Sequence, residues 1–475
     1  MRRRAVFARA PAARGAKKRS LGSVDARVTH RRARARTSIA ARDASTMSAR
    51  SIVIVGAGNS AGYLVRALVA NDLGHKTLVI GDEDVAPYER PALTKGFLHA
   101  EGPPRLPGFH TCVGGGGERQ TPEWYAEHDV ALKLSTRVTS ADLRAKTLTT
   151  DGGETINYET LVVATGCGVI KLPATMNGDA ERVHYVRNNA DALKLCEAMA
   201  TATKAVVIGG GYIGLECAAS LATRGLKPDV VMMEPHVMGR LFNADIAKHY
   251  EALYETRGTT FHRSSAVKTI LKDAENKATG VELADGTVLK ADLIVVGVGA
   301  TAPTAPFDGL ESPEGRVGGI KVDGQFRASA DGVFAIGDIA AFPLKLSKEL
   351  VRMEHVKHAR DSATLVGNII AGKTDASYDY TPYFYSRVFE HKGSERALAW
   401  VFYGLQKGEI ITVGDFNPKL AAFWIHEGKC VGIMLESGDA AQVGALESAV
   451  RASKSVDVDA LKAATSVDDA LALIL

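Results

Sequence analysis

Two stretches of the chain repeat one pattern of buried strand, glycine-rich turn and amphipathic helix. In the first stretch, a short β-branched run at residues 51–55 leads into the glycine-rich residues 56–62. Residues 77–80 form a second apolar run, which ends beside Asp82 and Glu83. This order predicts a β-α-β unit. The apolar positions that indicate its helix are Ala61, Leu64, Val65, Leu68 and Val69.

The pattern returns 153 positions later (209 − 56), with a strand at 204–208, a turn at 209–214 and a strand that ends at Glu234. A separation of this size indicates two domains rather than a short-period repeat. From about residue 378 the chain becomes aromatic and alternating, which predicts a third, mostly antiparallel domain. The expected fold class is α/β, with two Rossmann-like nucleotide-binding domains and a C-terminal α+β domain. The expected boundaries are 1–46 for a tail, 50–170 and 293–375 for the first domain, 171–292 for an inserted second domain and 376–475 for the third.

The positive charge of the chain is concentrated in the tail. Residues 1–46 hold 14 Lys and Arg but only Asp25 and Asp43 as acids, a local net charge of +12. The remainder therefore carries −8 (4 − 12), which argues against a nucleic-acid role for the body. The tail composition is typical of an organelle transit peptide, and we expect a chloroplast rather than a mitochondrion. The alternative is a disordered arm that binds nucleic acid or an anionic membrane, and Met47 would start a shorter cytosolic form.

Each glycine turn has the residues that a dinucleotide site needs. The first glycine allows the tight turn, the second lets the backbone approach a pyrophosphate, and the third (or an alanine) lets helix and strand pack closely. An acid after the next strand accepts from ribose hydroxyls; Glu83 and Glu234 stand 27 and 25 positions after their first glycines. The alternative is two structural turns without a ligand. The turn residues are Gly56, Gly58 and Ala61 in the first unit and Gly209, Gly211 and Gly214 in the second.

Two further motifs complete a recognisable order. Ala-Thr-Gly at 164–166 lies between the two turns, and Gly337-Asp338 follows a late strand. Taken alone, Asp338 is better explained as a helix N-cap. The whole order resembles the glutathione-reductase-like flavoproteins over residues 51–345. This resemblance implies FAD at the first unit and NAD(P)H at the second. The chain departs from the disulfide reductases of that family, because residues 91–96 contain no cysteine and its five cysteines form no CxxxxC pair.

A closer resemblance, over residues 50–440, is to the monodehydroascorbate reductases. The segments that carry it are 86–95 (APYERPALTK), 105–110 (RLPGFH), 210–216 (GGYIGLE), 354–360 (EHVKHAR) and 382–387 (PYFYSR). Related ferredoxin reductases usually have tryptophan at the position of Tyr385 and lack the insert at 105–125. The resemblance implies an enzyme that passes a hydride from NADH to FAD, and then single electrons to two monodehydroascorbate radicals. It would recycle ascorbate in antioxidant defence.

The resemblance also implies roles for individual residues. Glu83 would bind the adenosine ribose of FAD, Arg90 and Lys95 its phosphates and ring edge, and Asp338 its ribityl chain; a solvated surface pair is the alternative for Arg90 and Lys95. The expected FAD-binding residues are Gly56, Gly58, Asn59, Ser60, Ala61, Glu83, Arg90, Lys95, Val138, Asp338, Val356 and Tyr385.

For the nicotinamide nucleotide, the acid Glu234 would repel a 2′-phosphate, which predicts NADH as the preferred donor and weaker use of NADPH through Arg240. Ala-Thr-Ala-Pro at 300–303 departs from the Gly-Arg-Pro expected there. The expected NAD-binding residues are Gly209, Gly211, Tyr212, Ile213, Gly214, Glu234, Arg240, Gly299, Glu354 and His355.

Arg360 and Tyr385 would bind the acceptor and serve its reduction, since a guanidinium that never deprotonates suits an anionic radical. The alternatives are a helix-surface salt bridge for Arg360 and a core aromatic for Tyr385. No metal site, membrane span or obligate protein partner is expected. Two other functions remain open: a ferredoxin- or rubredoxin-type NADH reductase, and a redox-sensing flavoprotein that resembles apoptosis-inducing factor.

Overall fold

The computed structural model describes residues 50–99, 118–390, 398–416 and 419–475. The basic tail, Met47 and the segment 105–110 lie outside these ranges. In the first unit the elements are β1 (Ile52–Val55), α1 (Asn59–Val69), β2 (Thr77–Ile80), α2 (Pro122–Glu127), β3 (Ala131–Lys133), β4 (Val138–Asp142), β5 (Thr147–Thr150), β6 (Thr155–Asn157) and β7 (Thr160–Val163). A short strand, β8 (Gly168–Val169), leads into the second unit.

The second unit contains β9 (Val183–His184), α3 (Asn189–Thr201), β10 (Ala205–Ile208), α4 (Tyr212–Thr223), β11 (Asp229–Val231), α5 (Ala244–Thr256), β12 (Thr260–His262), β13 (Val267–Lys272), β14 (Ala278–Leu283), β15 (Val288–Lys290) and β16 (Leu293–Val296). The chain returns to the first unit through β17 (Ala300–Thr301), β18 (Ile320–Lys321), β19 (Val333–Ala335), β20 (Ala340–Leu344), β21 (Glu349–Arg352) and α6 (Val356–Ile370). The C-terminal part has β22 (Tyr383–Val388), β23 (Leu398–Gly404), β24 (Glu409–Gly414), β25 (Leu420–His426), β26 (Lys429–Glu436), α7 (Ala440–Ala452), α8 (Val458–Ala463) and α9 (Val467–Ile474).

Two parallel sheets that share the order of four strands form the nucleotide-binding units; the fifth, at the edge, comes last in the first unit (β19) and first in the second (β9). The first has the order β19-β7-β1-β2-β3 and the second β12-β11-β10-β16-β9. In each sheet the strand before the glycine turn, β1 or β10, is the central strand. Every residue of these two strands is buried. Burial on both faces explains why these strands are unbroken apolar runs in the sequence. The third sheet, β22-β23-β26-β25-β24, is antiparallel with helices after it, which confirms the predicted fold class.

The strand pairing bears on two of the expected domain boundaries. β16 pairs with β10 in the second sheet, so the second unit continues past residue 292. In the sequence, the glycine turn after β16 suggests that the chain re-enters the first unit there. In the structure, this turn packs on the second glycine turn as the 164–166 turn after β7 packs on the first. The return itself is a two-stranded ribbon of β8 with β17. The C-terminal domain was expected from residue 376; Tyr378 and Tyr380 pack in the core of the first unit, and the C-terminal sheet begins at Tyr383.

Helix α6 packs against α1 and supports the edge where the first glycine turn lies. Gly367 allows this close approach, because an added Cβ there would lie 2.5 Å from Cβ of Ala67. Over the described ranges, no helix combines the length and the apolar character needed to cross a membrane.

Candidate functional site

The first glycine turn has a backbone that only glycine accommodates. Gly56 has φ of +110°, and an added Cβ would lie 2.3 Å from the carbonyl oxygen of Ala164. Its N–H donates to the carbonyl of Ile80 at 2.8 Å, which ties the turn to the neighbouring strand. Helix α1 then begins at Asn59 without a side-chain cap. The Oδ1 atom of Asn59 is buried without a hydrogen-bond partner in the described structure, so it can accept a hydrogen bond from a ligand bound at this helix start.

A cavity of about 390 Å³ opens at this turn, within the range of roughly 300–1,000 Å³ that is usual for small-molecule sites. Ten of the twelve expected FAD residues line it, and Ala61 and Glu83 do not. Four residues expected at the nicotinamide nucleotide line it as well. The lining residues that were predicted are Gly56, Gly58, Asn59, Ser60, Arg90, Lys95, Val138, Asp338, Val356 and Tyr385, with Tyr212, Ile213, Glu354 and His355.

Asp338 is presented to the cavity by a turn that helix α6 holds. The Nε2–H of His358 donates to the carbonyl of Gly337 at 3.3 Å, and the N–H of Gly337 donates to Oγ of Ser362 at 3.2 Å. Burial raises the pKa of the Asp338 carboxyl, and Arg187, with Nη2 at 3.9 Å, opposes that rise. Arg187 also lines the cavity, although no sequence signal pointed to it.

A buried ion pair joins the two nucleotide-binding units beside the cavity. Nζ of Lys95 lies 2.8 Å from Oε1 of Glu216, on helix α4, and the Glu216 side chain is 3% exposed. The hydroxyl of Thr94 donates to the other Glu216 oxygen. Nζ of Lys95 also lies 5.6 Å from the ring centre of Tyr385. Lys95 and Tyr385 are therefore neighbours. Glu216 was not predicted as a site residue, because 121 positions separate it from its partner.

The second glycine turn repeats the geometry of the first. Gly209 has φ of +116°, its N–H donates to Val231 at 2.8 Å, and an added Cβ would lie 2.3 Å from the oxygen of Gly297. Glu234 and Arg240 are exposed and follow β11, at the carboxyl edge of this sheet. Gly209, Gly211, Gly214, Glu234, Arg240 and Gly299 lie outside the lining of the cavity.

Tyr212 connects this second turn to the cavity and to the C-terminal sheet. Its ring lies 3.7 Å, centre to centre, from that of Phe384 in β22. Burial raises the pKa of the Tyr212 phenol, so the side chain is neutral. Tyr212 and Phe384 both line the cavity. His355, which starts helix α6, packs edge-on against Phe384 at 4.8 Å, and burial lowers its pKa to about 4.

A second, larger cavity of about 1,060 Å³ contains Arg360 and Tyr385. Val356, Tyr383 and Tyr385 line both cavities, so these side chains form the wall between them. The ionisable charged residues of the second cavity are Arg66, Lys357, Arg360, Asp361 and Arg387, which sum to +3 (4 − 1).

Arg360 is held by an acid that does not line this cavity. Its Nη2 atom lies 3.1 Å from each carboxylate oxygen of Glu89, and the Glu89 side chain is 9% exposed. Burial alone would lower the pKa of Arg360, but the Glu89 carboxylate raises it. The alternative interpretation of Arg360 was a salt bridge on a helix surface. Arg360 does form an ion pair, with Glu89, but its side chain lines the second cavity.

Comparison with known proteins places this chain in a family. The pyridine nucleotide-disulphide oxidoreductase family matches residues 50–363, and the C-terminal domain of monodehydroascorbate reductase 3-like proteins matches 381–467. A chloroplastic/mitochondrial monodehydroascorbate reductase of Arabidopsis thaliana is 44% identical over 89% of this chain and 86% of its own length. The chloroplastic monodehydroascorbate reductase 5 of Oryza sativa subsp. japonica is 44% identical over 89% and 87%.

Solved structures agree with this placement. A ferredoxin reductase of Rhodopseudomonas palustris is similar with a TM-score of 0.77 and 28% identity, over 89% of this chain and 98% of that one. A putidaredoxin reductase, solved as a covalent complex with putidaredoxin, is similar with a TM-score of 0.77 and 25% identity, over 86% and 95%. The chain therefore belongs to the monodehydroascorbate reductases of the pyridine nucleotide-disulphide oxidoreductase family.

Proposed function

We propose that this protein reduces the monodehydroascorbate radical to ascorbate with electrons from NADH. Family membership implies FAD and a nicotinamide nucleotide as cofactors. The observation that carries the proposal is the pair of cavities that share Tyr385, one lined by Gly56, Gly58 and Asp338, the other lined by Arg360 and three further cationic side chains. Electrons would leave the first cavity and reach an anion held in the second.

The residues of the first cavity suit FAD. The backbone of the first turn and the start of α1 would bind its pyrophosphate, with Arg90 as the counter-charge; an added Cβ at Gly58 would lie only 3.3 Å from Nε of Arg90. Asp338 would accept from a ribityl hydroxyl. Bound FAD converts two-electron donation by the nicotinamide into one-electron transfer, and the protein supplies position and charge.

Glu234 supports NADH over NADPH as the donor. Its exposed carboxylate follows β11, beside the second turn, where it would accept from a 2′-hydroxyl and repel a 2′-phosphate. Arg240, also exposed, offers a counter-charge that would leave weaker use of NADPH. A kcat/KM ratio in favour of NADPH would contradict this assignment.

Arg360 and the other cations of the second cavity would hold the anionic acceptor. A guanidinium keeps its charge at every physiological pH, and a cleft lined by one sign of charge raises the rate at which an opposite charge enters. Tyr385, in the wall between the cavities, would lie between donor and acceptor.

The test generates the radical directly. Ascorbate and ascorbate oxidase are added to the FAD-loaded protein, and NADH absorbance is followed. Accelerated NADH oxidation is expected, and Arg360→Gln should lose it while NADH oxidation with a neutral quinone continues. If the radical accelerates nothing in the wild-type protein, the proposal fails.

Two structural relatives favour a second candidate, a reductase for an iron–sulfur protein, because one is named a ferredoxin reductase and the other was solved with putidaredoxin. A ferredoxin added in place of the radical separates the two functions: NADH-dependent reduction of the ferredoxin alone would favour this candidate. Slow turnover with both acceptors would favour the redox-sensing alternative.

We also propose that the basic tail directs the protein to the chloroplast. The relatives include chloroplastic/mitochondrial, peroxisomal and cytosolic proteins, so the tail rather than the body would decide the destination. Residues 1–46 fused to a fluorescent protein should enter chloroplasts, and a fusion that begins at Met47 should stay in the cytosol. Entry into mitochondria alone would contradict the proposal.

A further inference from the structure

Two adjacent acids follow β2, and the structure gives them different partners. We propose that Asp82, rather than Glu83, accepts the adenosine ribose hydroxyls of FAD, while Glu83 positions Arg90 and the start of the second unit. This inference rests on the proposed binding of FAD to the first cavity. It differs from the expectation drawn from family resemblance, which assigned the ribose to Glu83.

Both carboxylate oxygens of Glu83 are already engaged by the chain itself. Oε1 lies 2.5 Å from Nη2 of Arg90. Oε2 accepts from the hydroxyl of Tyr88 at 2.7 Å and from the N–H of Asn189 at 3.4 Å. The Glu83 side chain is 12% exposed and does not line the cavity. A carboxylate has about four acceptor sites, so Glu83, which receives three donors and does not face the cavity, has little capacity left for a ribose.

Asp82 has the opposite situation. It lines the cavity, and its side chain is 56% exposed. Its ion pair in the described structure is with Arg137, 3.1 Å away and 69% exposed, a type of contact that contributes little and is easily exchanged. The preceding Gly81 lies against the glycine turn, because an added Cβ there would be 2.5 Å from Cβ of Ala57. Of the two acids, Asp82 is therefore the one that faces the cavity beside the first glycine turn, where the nucleotide would bind.

The partners of Glu83 show what it does instead. The hydroxyl of Tyr88 donates to Glu83 and accepts from the N–H of Asn189 at 2.9 Å and from Arg90 at 3.2 Å, so all its hydrogen-bonding capacity is used. Tyr88 is fully buried, and Asn189 begins helix α3 of the second unit. Arg90 also donates to the carbonyl of Arg187 at 3.1 Å. Glu83 and Tyr88 thus join the phosphate-binding arginine to the second unit.

The two roles are separable by a ligand that lacks one hydroxyl. The flavin-free full-length chain is titrated with FAD and with an FAD analogue without the adenosine 2′-hydroxyl, and both dissociation constants are measured by flavin fluorescence. The wild-type chain should prefer FAD by roughly tenfold or more, since a hydrogen bond to a charged group is lost with the analogue. Asp82→Ala should bind both ligands equally. Arg137→Gln, which removes the partner of Asp82 but keeps the carboxylate, should retain the preference.

Substitutions in the positioning network should give another signature. Glu83→Gln and Tyr88→Phe should weaken both ligands by one common factor, since Arg90 loses its support, and leave the preference for FAD intact. Tyr254→Phe is the matched control, because Tyr254 is another buried tyrosine, whose hydroxyl donates to the Leu215 carbonyl at 3.1 Å, away from this network. It should change neither dissociation constant.

Three results would overturn the assignment: a preference that survives Asp82→Ala, a preference that Glu83→Gln abolishes, or a wild-type chain that binds the two ligands equally. A wild-type chain that binds neither flavin nucleotide would instead reject the proposed function itself. Because the readout is flavin affinity, the result does not depend on which acceptor the enzyme reduces.

Discussion

Removal of Glu216 should strongly destabilise the protein, because it leaves the Lys95 ammonium in a poorly solvated position. The two charges are 2.8 Å apart, and their side chains are 18% and 3% exposed. At an effective dielectric constant of about 20, this separation corresponds to an attraction of about 6 kcal/mol. Desolvation of both ions offsets part of it, and loss of one partner of a buried pair typically costs about 3–5 kcal/mol. We expect Glu216→Ala to lower the free energy of unfolding by that amount.

Urea unfolding of the FAD-loaded protein, followed by tryptophan fluorescence, measures this loss. The double variant Lys95→Met/Glu216→Leu should be more stable than Glu216→Ala, because no charge remains buried. Glu282→Ala is the matched control: Glu282 pairs with Lys268 at 2.7 Å, but Lys268 is 60% exposed, so its loss should cost no more than about 1 kcal/mol. The reasoning is refuted if Glu216→Ala costs no more than this control, or if the double variant costs the sum of the two single changes.

Three further predictions follow from the geometry. Burial lowers the pKa of His358 to about 3, so below about pH 6.5 the unfolded chain takes up a proton that the folded protein does not, and stability falls by about 3 kcal/mol at pH 4; in thermal melts, His358→Gln should flatten this decline, and an unchanged pH profile would refute it. Gly209→Ala should impair folding of the second unit, because its Cβ meets the Gly297 backbone, whereas Gly211→Ala meets no atom within 4 Å and should express normally; equal thermal stability of the two variants would contradict this. Glu234→Ala should shift the kcat/KM ratio toward NADPH, and a ratio unchanged from wild type would show that Glu234 does not contact the ribose.

The sequence allowed prediction of those parts of the site that depend on local backbone geometry. Gly56 and Gly209 were predictable because a left-handed φ and a close carbonyl leave no other residue type there. The two parallel sheets were predictable because each glycine turn of this kind has a strand before it and a helix after it. The C-terminal sheet followed from its alternation of buried and partly buried residues, clearest in β23.

What could not be predicted depends on contacts between distant parts of the chain. The pairs Lys95–Glu216 and Arg360–Glu89 join residues 121 and 271 positions apart, and no local pattern marks either acid as a partner. Asp82 and Glu83 are adjacent, and periodicity cannot distinguish which of them faces the nucleotide. The place of β16 is likewise not readable from the sequence, because its apolar run and glycine turn suit either parallel sheet; its pairing with β10 puts it in the second sheet.

The arrangement of the two cavities explains how such an enzyme would work without the cysteine pair of the disulfide reductases. A dithiol serves to carry electrons from the flavin to an acceptor that cannot reach it. Here Val356, Tyr383 and Tyr385 line both cavities, so on the proposed function donor and acceptor are separated by one layer of side chains. No intermediate carrier is then needed, and residues 91–96 can instead supply Lys95 to the ion pair that joins the two nucleotide-binding units.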